Sequence, residues 1–340
     1  MDIVKFIIKR IAYLIVLLLG VATIVFVLTR LVPSDPVSAN LSQRNLNNPE
    51  IVEAFRQKWG LDKPVWEQYL IYLKGLLHLD FGTSIRTSKP VLAELKRCFP
   101  ATLELALFAI FIASFFGILF GIISALRRNS LLDQLVRGIS VAGVSVPTFW
   151  LALLFLYVFY YKLGIAPGTG RISSFFNPPK TVTGLYVLDA LLEGNPYKAL
   201  DCLSHLVLPG CVLGSFTMGL ITRTTRSNLL EVMSTDYIRT AKAKGMARVR
   251  LILNHALGNA MIPVLTVIGL GFGNLLGGTV LVETIFTWPG VGQFAYESVT
   301  KLDSPGIIGV ALLIAFNYGV INTVVDILYG VIDPRVRSAS

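Results

Sequence analysis

The sequence predicts an all-α protein with six transmembrane helices. Hydrophobic residues make up 54% of the 340 residues and charged residues only 15%, a composition typical of membrane proteins rather than soluble globular ones. Six runs without a charged residue come close to or exceed the roughly 20 residues that a helix needs to cross about 30 Å of hydrocarbon. These runs cover residues 11–29, 105–126, 138–161, 202–222, 251–282 and 304–325.

The first run follows the basic residues Lys5, Lys9 and Arg10. A secretory signal has a similar order of basic and apolar residues, but its apolar part is usually shorter than this run. We therefore expect residues 1–31 to form a short N-terminal segment and a first transmembrane helix that the mature protein retains.

The distribution of charge predicts the orientation. Segments 1–10, 126–137, 222–258 and 333–340 together hold 15 Lys and Arg residues and five acids, whereas the rest of the chain holds 15 of each. Because cytoplasmic segments of membrane proteins are enriched in Lys and Arg, we expect both termini to be cytoplasmic. The net charge of +10 is then explained without a nucleic-acid partner.

Residues 32–100 are polar and are predicted to be extracytoplasmic. Apolar residues recur at helical spacing between Val65 and Leu77, which predicts an amphipathic helix on the membrane surface or against the ends of the spans. Residues 101–340 are predicted to form the core with helices 2–6. Because the run 251–282 is too long for one span, its start belongs to a cytoplasmic loop, residues 222–258.

Several residues of the core are candidates for a passage or gate. Pro147 interrupts the third run, where a static kink, a hinge and a passage lining are all open interpretations. Carboxylates in or beside spans are functional candidates, although Glu104 and Asp326 are also expected to find structural partners. Glycines four apart, as in Gly117/Gly121 and Gly269/Gly273, predict close helix packing. The passage or gate set is Ser145, Pro147, Phe149, Trp150, Asn274 and Asp326.

The loop 222–258 contains an ordered helical segment. Thr235 or Asp236 can cap a helix from Tyr237 to Lys244, and Gly245 offers a left-handed stop. Ala241 and Gly245 are four residues apart, on one face, where another protein surface can approach closely. Basic side chains surround that face at Arg239, Lys242 and Lys244.

Residues 235–263 resemble the "EAA" loop of ATP-binding-cassette (ABC) importer permeases. Arg239-Thr240-Ala241 stands where that family has Glu-Ala-Ala, Gly245 is its glycine, and the final proline comes later, at Pro263. These departures match the peptide/nickel branch. The resemblance implies that the loop docks in a groove of an ATPase, and it leaves open which side chains of the triplet make contact. The implied coupling set is Thr235, Asp236, Tyr237, Arg239, Thr240, Ala241, Lys244, Gly245, His255, Asn259 and Pro263.

Further motifs extend the resemblance over nearly the whole chain. They are Asp80–Ser84, the ten residues Glu283–Gly292, whose aromatics we expect at the membrane interface, and Asp333–Arg337. The second outer loop, with Thr183–Leu185, places the chain nearest the dipeptide "B" permeases. The resemblance implies a type I ABC importer fold in a bacterial inner membrane. It also implies a homologous second permease, two ABC ATPases, an extracytoplasmic substrate-binding protein that docks outside, and contact with membrane lipid.

The sequence carries no motif for catalysis. It has no Gly-x-x-x-x-Gly-Lys-[Ser/Thr] phosphate loop, so we expect no ATP hydrolysis by this chain, no catalytic residue and no cofactor. Its three histidines are scattered and its three cysteines lack metal-ligand spacing, so no metal site is expected. An ion-coupled secondary transporter and an intramembrane hydrolase remain alternatives, as do nickel, glutathione and haem as cargo.

Overall fold

The computed structural model of the chain describes residues 3–31, 36–41 and 43–332. Within these ranges the chain is helical without a named strand, which confirms the all-α class. The Asp333–Arg337 motif lies outside the described residues. The helices are α1 (Ile3–Leu31), α2 (Pro36–Asn40), α3 (Gln43–Leu46), α4 (Pro49–Lys58), α5 (Val65–Leu77), α6 (Val91–Leu126), α7 (Leu131–Ser145), α8 (Thr148–Phe155), α9 (Tyr186–Leu192), α10 (Pro196–Met233), α11 (Asp236–Ala243), α12 (Arg248–Leu251), α13 (Leu257–Gly277), α14 (Val280–Ile285), α15 (Val291–Thr300) and α16 (Ser304–Ile332).

Five of these helices are long and apolar enough to cross a membrane. They contain the stretches Arg10–Thr29, Val91–Leu126, Pro196–Met233, Asn254–Gly277 and Ser304–Val325. Helix α8 continues as a π-helix over Leu156–Lys162, and together with α7 it forms a bent pair. The number of spans is six when this pair is counted as one span. The predicted six spans are therefore reached with one broken helix.

The third predicted span is bent by 109° between α7 and α8. Pro147 has no backbone N–H to donate and disfavours a helical conformation in the residue before it. Val146 accordingly has φ −78° and ψ 129°, which is extended backbone. The proline thus divides the run into two helices.

Helices α6 and α10 form the central pair, and glycines allow their close contact. A Cβ atom added at Gly117 would lie 2.8 Å from Ile221 Cγ2, and one at Gly121 would lie 2.5 Å from Thr225 Cβ. Gly269 and Gly273 similarly face side chains of α16. Because α6 runs continuously from Val91, the boundary expected between residues 100 and 101 falls inside a helix.

Helix α5 packs against the spans, one of the two positions expected for it. Its Tyr69, Tyr72 and Leu76 lie against a cluster of apolar residues from α1 and α16. The rings of Phe26 and Tyr72 are stacked at 5.7 Å, and the Thr23 hydroxyl lies 2.7 Å from the hydroxyl of Tyr69. The amphipathic pattern between residues 65 and 77 thus reflects a helix that joins α1 to α16.

The two ends of α6 belong to different surroundings. Val91, at its start, packs with Val291 and Phe294 of α15. Ala125, 34 residues or about 51 Å further along the helix, packs with Ile238 of α11. We call residues 79–95, 163–195 and 278–303 the cap end, and residues 127–130 and 234–256 the loop end.

The aromatic residues of the Glu283–Gly292 motif are buried inside the protein and are not exposed to a membrane interface, so the expectation of an interfacial position is wrong. Phe286 and Trp288 are each 1% exposed and belong to the main apolar cluster of the protein. The indole N–H of Trp288 donates to the carbonyl of Ala101 at 2.8 Å, which fixes the ring against α6. The Pro-Gly pair of the motif lies between the end of α14 and the start of α15.

Candidate coupling surface

Helix α11 forms where the loop was predicted to be helical, shifted by one residue at each end. Thr235 precedes it with extended backbone, but its hydroxyl does not cap the helix. That hydroxyl instead donates to the carbonyl of Val232 at 2.6 Å, at the end of α10. Thr235 therefore contributes to the turn between α10 and α11.

One side of α11 is anchored on the ends of the spans. Ile238 is 2% exposed and packs in an apolar cluster that sequence reasoning did not identify. Ala241 packs on the same cluster and is partly buried, so its side chain faces this protein as well as any partner. The other buried members of the cluster are Ala125, Leu229, Leu251, Ala256 and Ala260. The anchor connects α11 with α6, α10, α12 and α13.

The opposite side of α11 is exposed and largely basic. The Arg239 side chain is 74% exposed and lies 3.4 Å from the Asp236 carboxylate, which is 95% exposed. Such solvated pairs contribute little to stability, so Arg239 remains available to a partner. Lys242 and Lys244 are also exposed, whereas the Thr240 hydroxyl donates to the carbonyl of Asp236 at 3.0 Å.

Gly245 has the left-handed conformation expected, with φ +78°. Its N–H donates to the carbonyl of Lys242 at 3.0 Å, and the N–H of Met246 donates to the carbonyl of Ala241 at 3.4 Å. These bonds close the C-terminus of α11 as left-handed glycines commonly do. Because the helix ends at Ala243, Gly245 lies in the turn beyond it, which corrects the expectation that Gly245 and Ala241 share one helix face. No atom lies within 4 Å of a Cβ added at Gly245.

The remaining residues of the coupling set lie on the chain that leads into α13. The Asn259 amide donates to the Tyr237 hydroxyl at 2.8 Å, so α11 and α13 are joined by side chains. His255 is exposed in the π-helical segment Ile252–Ala256, and Pro263 is exposed inside α13. The structure thus brings most of the set onto one surface.

The candidates for a passage or gate lie on several helices. Ser145 and Pro147 are exposed at the α7–α8 bend, and Phe149 and Trp150 are 47% and 51% exposed on α8. Asn274 is exposed on α13, and its side chain forms no hydrogen bond within the part of the chain that the structure describes. The backbone of Asp326 belongs to α16, while its side chain lies outside what the structure describes.

Sequence reasoning missed a buried carboxylate in the first turn of α7. Asp133 is fully buried and accepts two bonds from Arg226, at 2.8 and 2.9 Å. It also accepts from the Ser124 hydroxyl at 2.5 Å and from the N–H of Asn129 at 2.9 Å. Its N–H donates to the Ser130 hydroxyl, the N-cap of α7. The sequence did contain a sign of this helix start, because Ser130 stands three residues before Asp133 in the pattern of an N-cap.

Glu104 has the structural partner that was expected. The partner is Arg171, which lies far from Glu104 in the sequence. The Glu104 carboxylate lies 2.5 Å from the Arg171 guanidinium, and both side chains are buried. The guanidinium carbon also lies 3.6 Å from the centre of the Tyr186 ring. The pair holds the segment between Arg171 and Gly184 against α6.

A Ser, a His and an Asp also meet at the cap end, but not as a nucleophile and its base. The Ser173 hydroxyl donates its proton to the Asp201 carboxylate at 2.6 Å. In a nucleophile–base pair the serine would instead donate this proton to the histidine. The His205 Nε2 atom lies 3.2 Å from that hydroxyl, and its Nδ1 atom lies 3.1 Å from the carbonyl of Gly170. This geometry fixes the loop rather than activating the serine. The three cysteines are free, and the described residues include no group of three His, Cys, Asp or Glu side chains placed to hold a metal ion.

Known proteins resemble this chain over nearly its whole length. Residues 117–338 match the family described as binding-protein-dependent transport system inner membrane component, and residues 3–106 match the corresponding N-terminal family. The probable D,D-dipeptide transport system permease protein DdpB of Escherichia coli (strain K12) is 47% identical over 95% of this chain and 94% of its own length. The dipeptide transport system permease protein DppB of Alkalihalophilus pseudofirmus is 42% identical over 97% and 98%.

The fold also matches a solved structure. A chain of the MetNI methionine ABC transporter, in an inward-facing conformation, superposes with a TM-score of 0.53 at 17% identity, over 73% of this chain and all of its own. This similarity shows that the two chains share the fold of an ABC transporter permease. Together with the full-length relatives, it establishes that the chain is a multi-pass permease subunit that belongs to the family of binding-protein-dependent transport system inner membrane components.

Proposed function

We propose that this chain forms half of the translocation pathway of an ATP-driven importer for short peptides in a bacterial inner membrane. The observation that carries the proposal is α11, which presents a basic, exposed side while Ile238 anchors it on the ends of several spans. Relatives named as dipeptide permeases, 42% and 47% identical over nearly the whole chain, support peptides as the substrate class.

The partners in this proposal are a homologous second permease, two ABC ATPases and an extracytoplasmic substrate-binding protein. The family is described by its dependence on a binding protein, which supports the last of these. Large apolar side chains on α7 and α8 are exposed, among them Leu135, Ile139 and Leu153. Exposed apolar surface of this kind is expected to face lipid or a second subunit in a membrane.

The loop end is the contact point for the ATPases in this proposal. ATP binding closes the ATPases and moves α11. Since Ile238 and the Tyr237–Asn259 bond connect α11 with α6, α10 and α13, the motion passes to the spans as a rigid-body change. The passage then opens alternately to the two sides of the membrane.

The proposal places the loop end in the cytoplasm and the cap end outside. Ser174 at the cap end and Ser227 at the end of α10 are both exposed, so a cysteine at either position is accessible in the protein itself. In sealed cells, a membrane-impermeant thiol reagent should label a cysteine at Ser174 and not one at Ser227. Labelling only at Ser227 would contradict this orientation.

The coupling role is tested by reversing a charge on α11. Ala241→Glu would place a carboxylate against the apolar anchor and so disturb this chain itself, whereas Lys242 is exposed and forms no hydrogen bond or ion pair within the described residues. Lys242→Glu should reduce copurification of the ATPases and lower peptide uptake. The basic side of α11 suits an acidic partner surface, and a glutamate at position 242 would place like charges in that interface, which is unfavourable. Lys180→Glu, an exposed charge reversal at the cap end, should leave copurification of the ATPases unchanged. Normal assembly and uptake with Lys242→Glu would contradict the role.

Energy supply is tested with purified proteins. The chain alone should bind and hydrolyse no ATP, while the complete complex should hydrolyse it in the presence of the binding protein and peptide. Uptake that continues after ATP depletion and follows a proton or sodium gradient would instead support an ion-coupled transporter.

A further inference from the structure

A cavity lies between α7 and α10, next to the loop end, with both apolar and polar side chains in its lining. Its volume is about 430 Å³, within the usual range of small-molecule sites. Three arginines and several hydroxyls line it. The polar lining includes Arg137, Arg223, Arg226, Ser140, Ser145 and Thr222.

The arginines of the cavity are not balanced by acids. Asp133 is the carboxylate beside them, and its oxygens already accept bonds from Arg226, Ser124 and Asn129. Arg137 lies 3.6 Å from the same carboxylate and is 53% exposed. Arg223 is exposed and has no hydrogen bond or ion pair within the described residues. Three guanidinium groups and one carboxylate leave a net charge of +2, which favours an anion in the cavity.

The length of α10 places the cavity near the depth at which lipid headgroups are expected to begin. Helix α10 has 38 residues and is therefore about 57 Å long, so a central hydrocarbon layer of about 30 Å leaves about 13 Å at each end. Arg223 is ten residues, or about 15 Å, from the last residue of α10. The guanidinium groups of Arg223 and Arg226 thus lie close to the boundary between hydrocarbon and headgroups.

An exposed apolar surface continues from the cavity. Val141 lines the cavity and is itself 61% exposed. On the same helix, Leu135 and Ile139 are 61% and 56% exposed, one helical turn apart. A ligand that fits both features has an anionic head and apolar chains.

We propose that this cavity binds the phosphate of an anionic phospholipid, with its acyl chains along α7. Basic pockets between transmembrane helices bind such headgroups in general. A peptide in transit would bring a carboxylate and an ammonium group together, and the ammonium would find Asp133 fully occupied. The charge of the cavity therefore suits an anionic lipid better than a zwitterionic peptide.

The test uses the delipidated transporter complex and native mass spectrometry. Phosphatidylglycerol and phosphatidylethanolamine are titrated separately, and retained lipid is counted on the wild type, Arg223→Gln and the double variant Arg137→Gln/Arg223→Gln. The control is Arg128→Gln, which removes an exposed charge from the neighbouring α6–α7 turn without removing a cavity residue. Arg137 and Arg223 are both exposed, so their substitution should preserve folding. The mass of the assembled complex in the same spectra verifies this.

We expect one tightly retained phosphatidylglycerol on the wild type and on Arg128→Gln. Each cavity substitution should weaken its retention by about fivefold, the effect expected for one basic residue near an anionic lipid surface. Equal retention of the two lipids by the wild type, or equal losses in Arg128→Gln and Arg223→Gln, would overturn the proposal. Displacement of the lipid by a dipeptide with a free carboxylate, but not by its amide, would overturn it in favour of a peptide site. Displacement by inorganic phosphate alone would show that free phosphate suffices and would also overturn it.

Discussion

The cap end and α11, the helix at the loop end, are held by different kinds of contact. At the cap end the Glu283 carboxylate is fully buried, and it accepts from the Thr102 hydroxyl at 2.6 Å and from the N–H of Gln293 at 3.0 Å. The Thr102 hydroxyl in turn accepts from the N–H of Val291 at 2.8 Å. At the loop end, Ile238 is the only residue of α11 that is buried.

This difference shows how one chain combines a rigid part with an adaptable one. Buried polar networks have few alternative arrangements, because each broken bond leaves an unpaired group away from water. A short helix with one fully buried side chain, whose other contacts are partly buried or exposed, can adjust its position at lower cost. We therefore expect the cap end to keep its geometry while α11 follows a partner.

The largest effect is expected from Glu283→Ala. The substitution leaves the Thr102 hydroxyl and the N–H of Gln293 without their acceptor and opens a cavity, so it should lower the free energy of unfolding by at least about 3 kcal/mol. Thermal unfolding of the purified protein in detergent measures the change. Glu297→Ala is the control, since Glu297 forms a part-exposed pair with Arg86 at 2.9 Å and should cost less than about 1 kcal/mol. Similar losses for the two variants would refute the contrast between buried network and surface.

The second prediction compares two glycines with similar, positive φ angles. Gly245 at the loop end and Gly194 at the cap end have φ values of +78° and +72°, and neither has an atom within 4 Å of an added Cβ. Valine at either position should therefore cost a similar amount, about 1–3 kcal/mol, through backbone strain alone.

Their effects on function should differ. Gly245→Val should abolish peptide uptake and reduce copurification of the ATPases, whereas Gly194→Val should preserve both. Thermal unfolding of the two variants verifies that the strain is matched. Equal uptake by the two variants would show that the turn after α11 is not in contact with a partner.

The third prediction concerns pH and the carboxyl group of Asp189 at the cap end. Burial opposes ionisation of Asp189, but bonds from Thr183, Gly184 and Val182 outweigh it and lower the pKa of this carboxyl. A lowered pKa in the folded state stabilises the fold above the unfolded value of about 3.9, and this contribution is lost as the pH falls through the folded value.

Asp189→Asn should therefore destabilise the protein by about 1–2 kcal/mol at pH 7, and the difference from the wild type should shrink as the pH falls below about 4. Thermal unfolding at several pH values measures both. If the stability difference between Asp189→Asn and the wild type did not change with pH, the negative charge of Asp189 would not be the source of the stabilisation.

The smallest effect is expected from Tyr237→Phe. The variant removes the bond between the Tyr237 hydroxyl and Asn259, both of which are exposed to solvent. The loss should be below about 1 kcal/mol, with thermal stability nearly unchanged. A lower ATPase rate of the complex at unchanged stability would indicate that this bond transmits motion to α13, whereas a large loss of stability would show that the loop end is more rigid than we infer.

Local patterns allowed much of the fold to be predicted. The uncharged runs identified the spans, Pro147 identified the break in the third, and Gly245 identified the left-handed turn after α11. Each of these features depends on residues that are neighbours in sequence.

Features that depend on distant residues were not predicted. Nothing near Glu104 indicates Arg171, which is 67 positions away, and nothing near Trp288 indicates that α6 will cover it. Ile238 is one apolar residue in a polar segment, and its role became visible only when the ends of α6, α10 and α13 surrounded it. An aromatic motif beside a span fits a membrane interface or a buried cap equally well.

The central claim, that the exposed side of α11 meets an ATPase, is tested most directly by cross-linking. A photoreactive amino acid is placed at Lys242 on α11 and, separately, at Lys180 at the cap end, in membranes that contain the complete transporter. Illumination should join the chain to an ATPase subunit from position 242 and not from position 180, as identified by mass spectrometry of the product. A product with the ATPase from position 180, or none from position 242 in an assembled and active complex, would contradict the account.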